Sequence, residues 1–385
     1  MSKKNKAGSM ILGVAFVWFT THFGGGFASG AQIYSYYVRY GIWSLFLPLF
    51  AMAYNGVFFA YCLYFARKHE VYDYRSYNNA FYGRFAPLFS NLFELLYLCV
   101  MCVAPAVAFA TGGATLSTLT GLPYLLCTFL IGAFIFVVSV FGTDLVRKVA
   151  SVLSICIIAG LLIVYVPNII AGAGNIADTV SAMKAADLPF GKALYAAFVY
   201  GTFQLANVAV FVQHAKSFER PEDAGKSMAL GTVLNALMMI MVVLGIMTVY
   251  QNPEMSRQSV PTLFMVQQGV GSKFMTPLIS VLIILGAVST AVNMVAAMVE
   301  RINNGLEKKR ETQKKETGSG ISHTQILAAL ACCIADFLIA QLGLLTLIQK
   351  AYSILAYLAI PVILVPYVVH MIVTHLDTKE VSTKK

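Results

Sequence analysis

Eight intervals of this 385-residue chain contain no Asp, Glu, Lys or Arg, and the shortest of them runs for 23 residues. They are 7–38, 40–66, 95–143, 149–177, 193–215, 227–253, 274–299 and 351–376. A bilayer core takes about 20 apolar residues per helix, so nearly every interval is one crossing long and 95–143 holds two. The composition agrees, with 11% charged and 58% hydrophobic residues, against about 25% and 45–50% in soluble domains. A soluble enzyme, a disulfide-stapled secreted domain and a nucleic-acid-binding domain are excluded on these grounds. The chain reads as an all-α integral membrane protein.

Ten transmembrane helices are expected, near 10–38, 41–66, 88–115, 122–142, 147–171, 190–214, 226–250, 273–299, 323–347 and 351–375. With the N-terminus in the cytoplasm, 21 of the 27 lysines and arginines fall on that side of the membrane. This bias is the positive-inside pattern, and it puts both termini in the cytoplasm. The net charge of +10 is therefore a topology signal. The basic runs Lys308-Lys309-Arg310 and Lys314-Lys315, in a cytoplasmic loop at 300–322, belong to it, with anionic lipid as a secondary partner. Lys3, Lys4 and Lys6 ahead of an apolar run resemble a signal peptide, but the segment continues through Gln32–Val38 and completes a span. All seven cysteines lie in apolar spans, so Cys99-x-x-Cys102 reads as two small apolar side chains on one helix face rather than a redox pair.

Two spans are irregular. The first carries Thr20-Thr21-His22-Phe23-Gly24-Gly25-Gly26-Phe27-Ala28-Ser29-Gly30, whose four glycines each cost about 1 kcal/mol in a helix relative to Ala. A break at this depth is tolerated only where protein or a water-filled cavity satisfies the freed backbone. Ser29-x-x-Gln32 follows with the spacing of a capping box, as if a new half-helix began there. The sixth span carries Tyr200-Gly201-Thr202-Phe203-Gln204-Leu205-Ala206-Asn207. Residues 10–171 hold five spans and 190–375 hold five more, so spans 1 and 6 open matching halves. An odd repeat must be inverted relative to its partner, and interrupted segments at matching places point to a transporter's substrate site. Between spans 7 and 8, Thr262–Val266 is apolar but too short to cross; it suits either a lid over an outward vestibule or an interfacial helix. Residues 173–189 suit a short surface helix.

At Phe23-Gly-Gly-Gly-Phe-Ala-Ser-Gly30 the chain resembles the bacterial YkvI-type membrane proteins, whose first span carries a close Gly-x-Gly-Phe-Ala-Ser-Gly. These belong to the amino acid–polyamine–organocation superfamily. The resemblance implies the five-plus-five inverted repeat of the LeuT fold, helices 1 and 6 interrupted, in a bacterial plasma membrane. His22, directly before the glycines, departs from the motif. Gly24, Gly25, Gly26 and Phe27 would present backbone N–H groups to a carboxylate or other small anionic group at the start of the second half-helix. By resemblance, Thr202, Phe203, Gln204 and Asn207 are the side-chain candidates for the substrate. Their alternative role is to bond neighbouring helix backbone.

Span 8 contains Gly286-Ala-Val-Ser289-Thr290-Ala-Val-Asn293. Adjacent hydroxyls often bond back to their own helix. The resemblance instead implies a Na+ site from the Ser289 and Thr290 hydroxyls, the Gly286 carbonyl and the carbonyls of Thr20 and Phe23. Neutral oxygen donors suit a hard alkali cation. Ser151 and Ser154 of span 5 are further candidates for that site.

Of the ionisable residues inside spans, His22, Glu94 and Asp336 are singled out, and each is a candidate for proton coupling. His22 has as alternative a neutral imidazole bonded to a freed carbonyl. Glu94 has as alternative a pairing with Arg84 or Arg147, and Asp336 a structural or oligomer contact. No P-loop, metalloprotease motif or large cytoplasmic domain occurs, so an ion gradient would drive any transport. The sequence points to a non-enzymatic secondary transporter of a small, amino-acid-like solute, coupled to Na+ or alternatively to H+, with no other cofactor. A binding-only receptor of the same fold is the second reading, and a channel is disfavoured for want of a charge ring or filter motif.

Overall fold

The computed structural model describes residues 3–141, 143–310 and 323–377, all in helices and turns. The basic residues Lys314 and Lys315 lie outside the described residues, as do the side chains of Arg147, Ser151, Ser154 and Lys308–Arg310.

The first span is broken into α1 (Lys3–His22), a single turn α2 (Gly25–Ala28) and α3 (Ala31–Tyr36). After it come α4 (Leu47–Lys68), a short α5 (Tyr74–Tyr82), α6 (Ala86–Thr120), α7 (Tyr124–Phe141) and α8 (Thr143–Ala171). The expected surface helix is α9 (Ala173–Ala185), bent by 75° from the end of α8. The second half runs through α10 (Phe190–Gln204), α11 (Val208–Phe211), α12 (Asp223–Met247), α13 (Pro261–Gln268), α14 (Ser272–Arg310) and α15 (His323–Ala340). It ends in α16 (Leu344–Thr346), α17 (Tyr352–Ala359) and α18 (Val365–Val373), joined by π turns at 347–351 and 360–364. Among the described residues, eight helices are long and apolar enough to cross a membrane, the bent α8–α9 pair makes a ninth candidate, and Gly8–His22 is a shorter apolar helix.

Three boundaries differ from expectation. Span 9 stops at Ala340 and span 10 begins at Leu344, because Gly343 turns the chain with φ of 85°, a conformation other residues reach only under strain. Span 6 keeps helical dihedrals throughout and is tightened to 3₁₀ at Leu205–Asn207, so its interruption is a change of winding. Ser29 forms no capping box. Gly30 occupies the N-cap of α3, Ser29 Oγ accepts from the Ala31 N–H at 3.3 Å, and the Gln32 side chain turns towards Tyr200.

Two packed groups emerge. In one, α12 lies along α1 and α4, and α10 lies against α4. In the other, α6 and α14 pair, with α7 and α15 around them. The α2 turn touches both α6 and α14 and so sits at the seam. The outer faces of α7 and α15 are rows of exposed Leu, Phe and Ile, including Leu125, Phe129, Phe134, Leu327, Ile334 and Leu338. Surfaces that apolar suit lipid tails.

The loops that follow spans 2 and 6 meet the chain's two ends on one side. Asp377 takes Lys68 (3.1 Å) and His69 (2.9 Å), Arg67 donates to the Phe218 carbonyl (2.8 Å), and Ser227 Oγ donates to the Ile11 carbonyl (2.8 Å). On the opposite side α13 is a lid, buried from Pro261 to Val266. The Thr262 N–H donates to the Ser29 carbonyl (3.0 Å), and Thr262 Oγ1 bonds the Tyr165 hydroxyl (2.7 Å). Buried in this way, α13 packs into the bundle instead of lying along an interface, as a lid would.

Gly30 is the seat of this lid. Its φ is +76°, and an added Cβ would lie 2.7 Å from Thr262 Oγ1. Gly30→Ala is thus expected to strain the backbone by about 1–2 kcal/mol and lift α13. Faster amide hydrogen exchange at Thr262 checks it; unchanged exchange there rejects it.

Candidate functional site

The glycine break releases two particular carbonyls. In an unbroken helix the Gly24 N–H would donate to Thr20 O, and the Phe27 N–H to Phe23 O. Here the Gly24 N–H donates to the His22 carbonyl (2.9 Å) and the Phe27 N–H to the Gly24 carbonyl (3.0 Å). Gly24 permits this by adopting extended backbone (φ −75°, ψ 178°) as the N-cap of α2. The second half-helix then restarts within one residue. Two acceptors are left at its threshold.

The residues that carry them, Thr20 and Phe23, border a cavity of about 220 Å³. From α1 come Phe19, Thr20, Thr21 and Phe23; from α14 come Gly286, Ser289, Thr290, Asn293 and Met294; Ile157 of α8 and Val210 of α11 complete it. All five residues named for the cation site therefore line one space. The α14 set falls at i, i+3, i+4, i+7 and i+8, a single helix face. Close approach is secured by Gly24 and Gly25. An added Cβ on Gly24 would lie 3.5 Å from Thr290 Oγ1, and one on Gly25 would lie 2.9 Å from Ala287 Cβ. The Thr290 hydroxyl donates to Gly286 O at 3.0 Å, and both Thr20 and Thr21 hydroxyls donate to Val17 O, at 3.1 and 2.8 Å. With their protons committed to carbonyls, these threonines offer lone pairs to the cavity. Among the described residues no group of three His, Cys, Asp or Glu is placed to hold a metal.

The span 6 candidates are placed differently, and none of them borders the cavity. Thr202 faces α4, donating to the Phe198 carbonyl (2.7 Å) and lying 3.3 Å from the Tyr54 hydroxyl. Phe203 stacks on Tyr352, with centroids 4.4 Å apart and an interplanar angle of 17°. Gln204 Oε1 accepts from Asn207 Nδ2 (2.7 Å). Gly26 is covered by the Gln32 side chain, and Phe27 packs on Phe23 and His22. On the lid side this region is closed, with the Tyr36 hydroxyl donating to the Ile348 carbonyl (2.8 Å).

His22 is buried and bonded by both ring nitrogens, to Asn235 Oδ1 (2.7 Å) and the Tyr200 hydroxyl (2.5 Å). Asn235 Nδ2 is committed to the Gly231 carbonyl (2.8 Å). Its oxygen must therefore face the imidazole, so Nδ1–H donates to Asn235, and Nε2 lies against the Tyr200 hydroxyl, which also contacts Gln32 Oε1 (3.3 Å). The partners are side chains of α10 and α12, not the freed carbonyl expected. His22 thus ties α1 to two helices of its own group, facing away from the cavity that its neighbours Thr21 and Phe23 border.

The alanine variant of His22 strands two buried polar groups, at about 1–3 kcal/mol for an unsatisfied partner. Glutamine can restore one donor and one acceptor. His22→Ala is expected to melt below His22→Gln, which melts near wild type; coincident melting of Ala and Gln variants rejects this.

Glu94 pairs with Arg301 (3.0 Å), not with Arg84, and accepts from the Tyr74 hydroxyl (2.6 Å). The guanidinium of Arg301 lies over the rings of Tyr74 and Tyr97, at 4.9 and 5.1 Å. The pair thus closes the α6–α14 seam on the side of the chain ends. Asp336 is buried on α15 with Cys333 one turn away, and among the described residues no cation pairs with it. Neither borders the cavity.

Several site residues were not singled out from sequence: Thr21, Ile157, Val210, Asn293 and Met294 in the cavity, and Tyr200 and Asn235 in the His22 network. Asn235 had a signal, as a lone amide in an apolar run.

No protein-family model and no curated protein matches the chain. Among solved structures, the chain is similar to a Na+-coupled sialic acid symporter in a substrate-bound, outward-open state, with a TM-score of 0.50 and 15% identity. The alignment covers 94% of this chain and 85% of that one. At such identity the likeness speaks for a shared fold.

Proposed function

We propose that this chain is a multi-pass secondary transporter of a small organic solute, coupled to Na+ and working by alternating access. The observation that carries the reading is the meeting of Thr20, Phe23, Gly286, Ser289 and Thr290 around one cavity at the break of the first span. Freed carbonyls and hydroxyls are hard neutral donors, the set an alkali cation prefers. The cavity lies where two packed helix groups meet, and a rocking of α1, α4, α10 and α12 against the rest would open and close it. Bound cation would draw the α1 carbonyls and the α14 hydroxyls together and so favour one arrangement of the seam. The basic loops put the chain ends in the cytoplasm, making the lid side external and this arrangement closed to the outside. Each of the halves 10–171 and 190–375 would give two helices to the moving group, α1 and α4 from the first and α10 and α12 from the second. The solute we assign is amino-acid-like, since the N–H groups at the start of α2 favour a carboxylate.

Uptake by proteoliposomes of the full chain tests this. Radiolabelled amino acids are expected to accumulate under an inward Na+ gradient and not under a pH gradient alone. No accumulation under either gradient overturns the coupled-transporter reading. Solute binding without accumulation favours a receptor of the same fold, and accumulation under a pH gradient alone transfers the coupling to protons.

A further inference from the structure

We propose that the turn at 374–377, just past α18, is a strained clasp on α4. In this arrangement it holds the end of α4 against the end of α18, and its release lets α1, α4, α10 and α12 swing and the lid α13 lift. The inference rests on the rocking movement proposed above, and it adds the contact that restrains that movement from the side of the chain ends.

Asp377 is the centre of the clasp. Its carboxylate is buried and takes Lys68, the last residue of α4, at 3.1 Å and His69, which follows it, at 2.9 Å. Lys68 Nζ also donates to the Asp377 carbonyl. The Asp377 N–H donates to Thr374 Oγ1 (2.9 Å), whose own proton goes to the His370 carbonyl (2.6 Å). Deeper in, the Tyr61 hydroxyl of α4 bonds His370 Nδ1 of α18 (2.6 Å). Two helix ends are thus joined through an acid that is costly to leave buried alone.

The turn itself is under strain. His375, Leu376 and Asp377 have φ of 50°, 57° and 61°, three consecutive left-handed residues of which none is glycine. That region brings Cβ against the following carbonyl oxygen, and residues other than glycine visit it singly. Leu376 is 58% exposed, so side-chain packing does not hold it there. The conformation persists because the contacts of Asp377 outweigh its cost, and a turn held in this way springs open when they are removed. The load passes across the membrane through α12, which lies along α4 and also touches α13. At the far end the Thr262 N–H is bonded to the Ser29 carbonyl. A contact made in only one arrangement biases the equilibrium by its own worth. The clasp on one side therefore helps to keep the lid shut on the other.

Amide hydrogen exchange of the full chain in nanodiscs, read at Thr262 and at Ala110 of α6, tests the clasp. Asp377→Ala is expected to speed exchange at Thr262 by about fivefold or more, the scale of an ion pair with its hydrogen bonds, and to leave Ala110 unchanged. Lys68 and His69 are partly exposed and would rehydrate, so the fold should survive the change. Leu376→Gly acts in the opposite direction. Glycine adopts positive φ without a Cβ penalty, so the clasp tightens and Thr262 exchanges about twofold more slowly. Lys68→Gln should speed exchange there by less than Asp377→Ala does. Should Asp377→Ala not fold, Lys68→Gln and Leu376→Gly, of opposite sign, decide the matter. The inference is overturned if Asp377→Ala leaves Thr262 at the wild-type rate, if it speeds Ala110 equally, or if Leu376→Gly does not slow exchange at Thr262. These rates need neither solute nor gradient, so failed uptake beside clasp-dependent exchange would reject the transporter reading and leave the clasp standing.

Discussion

Replacing Ser289 and Thr290 together by alanine is expected to weaken ²²Na+ binding by about 100-fold or more, because two ligand hydroxyls are lost at once. A hydrogen-bonding contact to a charged group contributes about 1.5–3 kcal/mol, and each 1.4 kcal/mol is a factor of ten. The helix itself should tolerate the change. Thr290 bonds back to Gly286 O, an arrangement that mildly disfavours helices, and alanine is the best helix former. A loss of Na+ affinity with normal melting would therefore report on the site and not on the fold. The uptake assay should show the same variant losing its response to the Na+ gradient. Binding within about threefold of wild type, worth less than 1 kcal/mol, would remove Na+ from this cavity.

Gly25→Val is the second large effect, and it acts through sterics. An added Cβ would stand 2.9 Å from Ala287 Cβ, 3.1 Å from Ala287 Cα and 3.3 Å from Thr111 Cβ. None of these atoms is the movable end of a long side chain, so α2 itself must leave α14 and α6. Overpacking of this kind costs about 1–3 kcal/mol, and valine adds two methyls beyond the Cβ. Because α2 fixes where the Thr20 and Phe23 carbonyls point, Na+ binding should fall together with thermal stability. Gly26→Ala is the internal control. Its Cβ meets the end of the Gln32 side chain, which can rotate away, so its melting temperature and Na+ binding should suffer less. Equal behaviour of the two variants would show that the seam is not tightly packed at Gly25.

The legible part of this site was local in sequence. The glycine cluster at 24–26 had to break a helix wherever it was placed, and a broken helix must free carbonyls three or four residues earlier. Ser289 and Thr290 stood out because hydroxyls are conspicuous in an apolar run. Glu94 was visible as a buried charge, but its partner Arg301 lies 207 residues away and could not be chosen from among the basic residues. Thr202 and Asn293 show the same limit. Both are polar residues in apolar spans, yet one turns to Tyr54 of α4 and the other to the cavity, according to how each helix is rotated in its packing. Asn235 and Tyr200 became site residues only when α12 and α10 brought them to His22.

By itself the sequence determined the solvent, the number of apolar runs and the place where the first span breaks. Each follows from burying unpaired charge or backbone in lipid, a cost fixed by composition along the chain. The tertiary structure alone decided which faces meet. It buried α13 against α12 and α14, gave His22 its side-chain partners, and left the open space beside α1 and α14, away from Thr202–Asn207 of span 6. Helix rotation and contact are settled by close packing among residues distant in the chain, and a charge-free run carries no record of which of its faces will be covered.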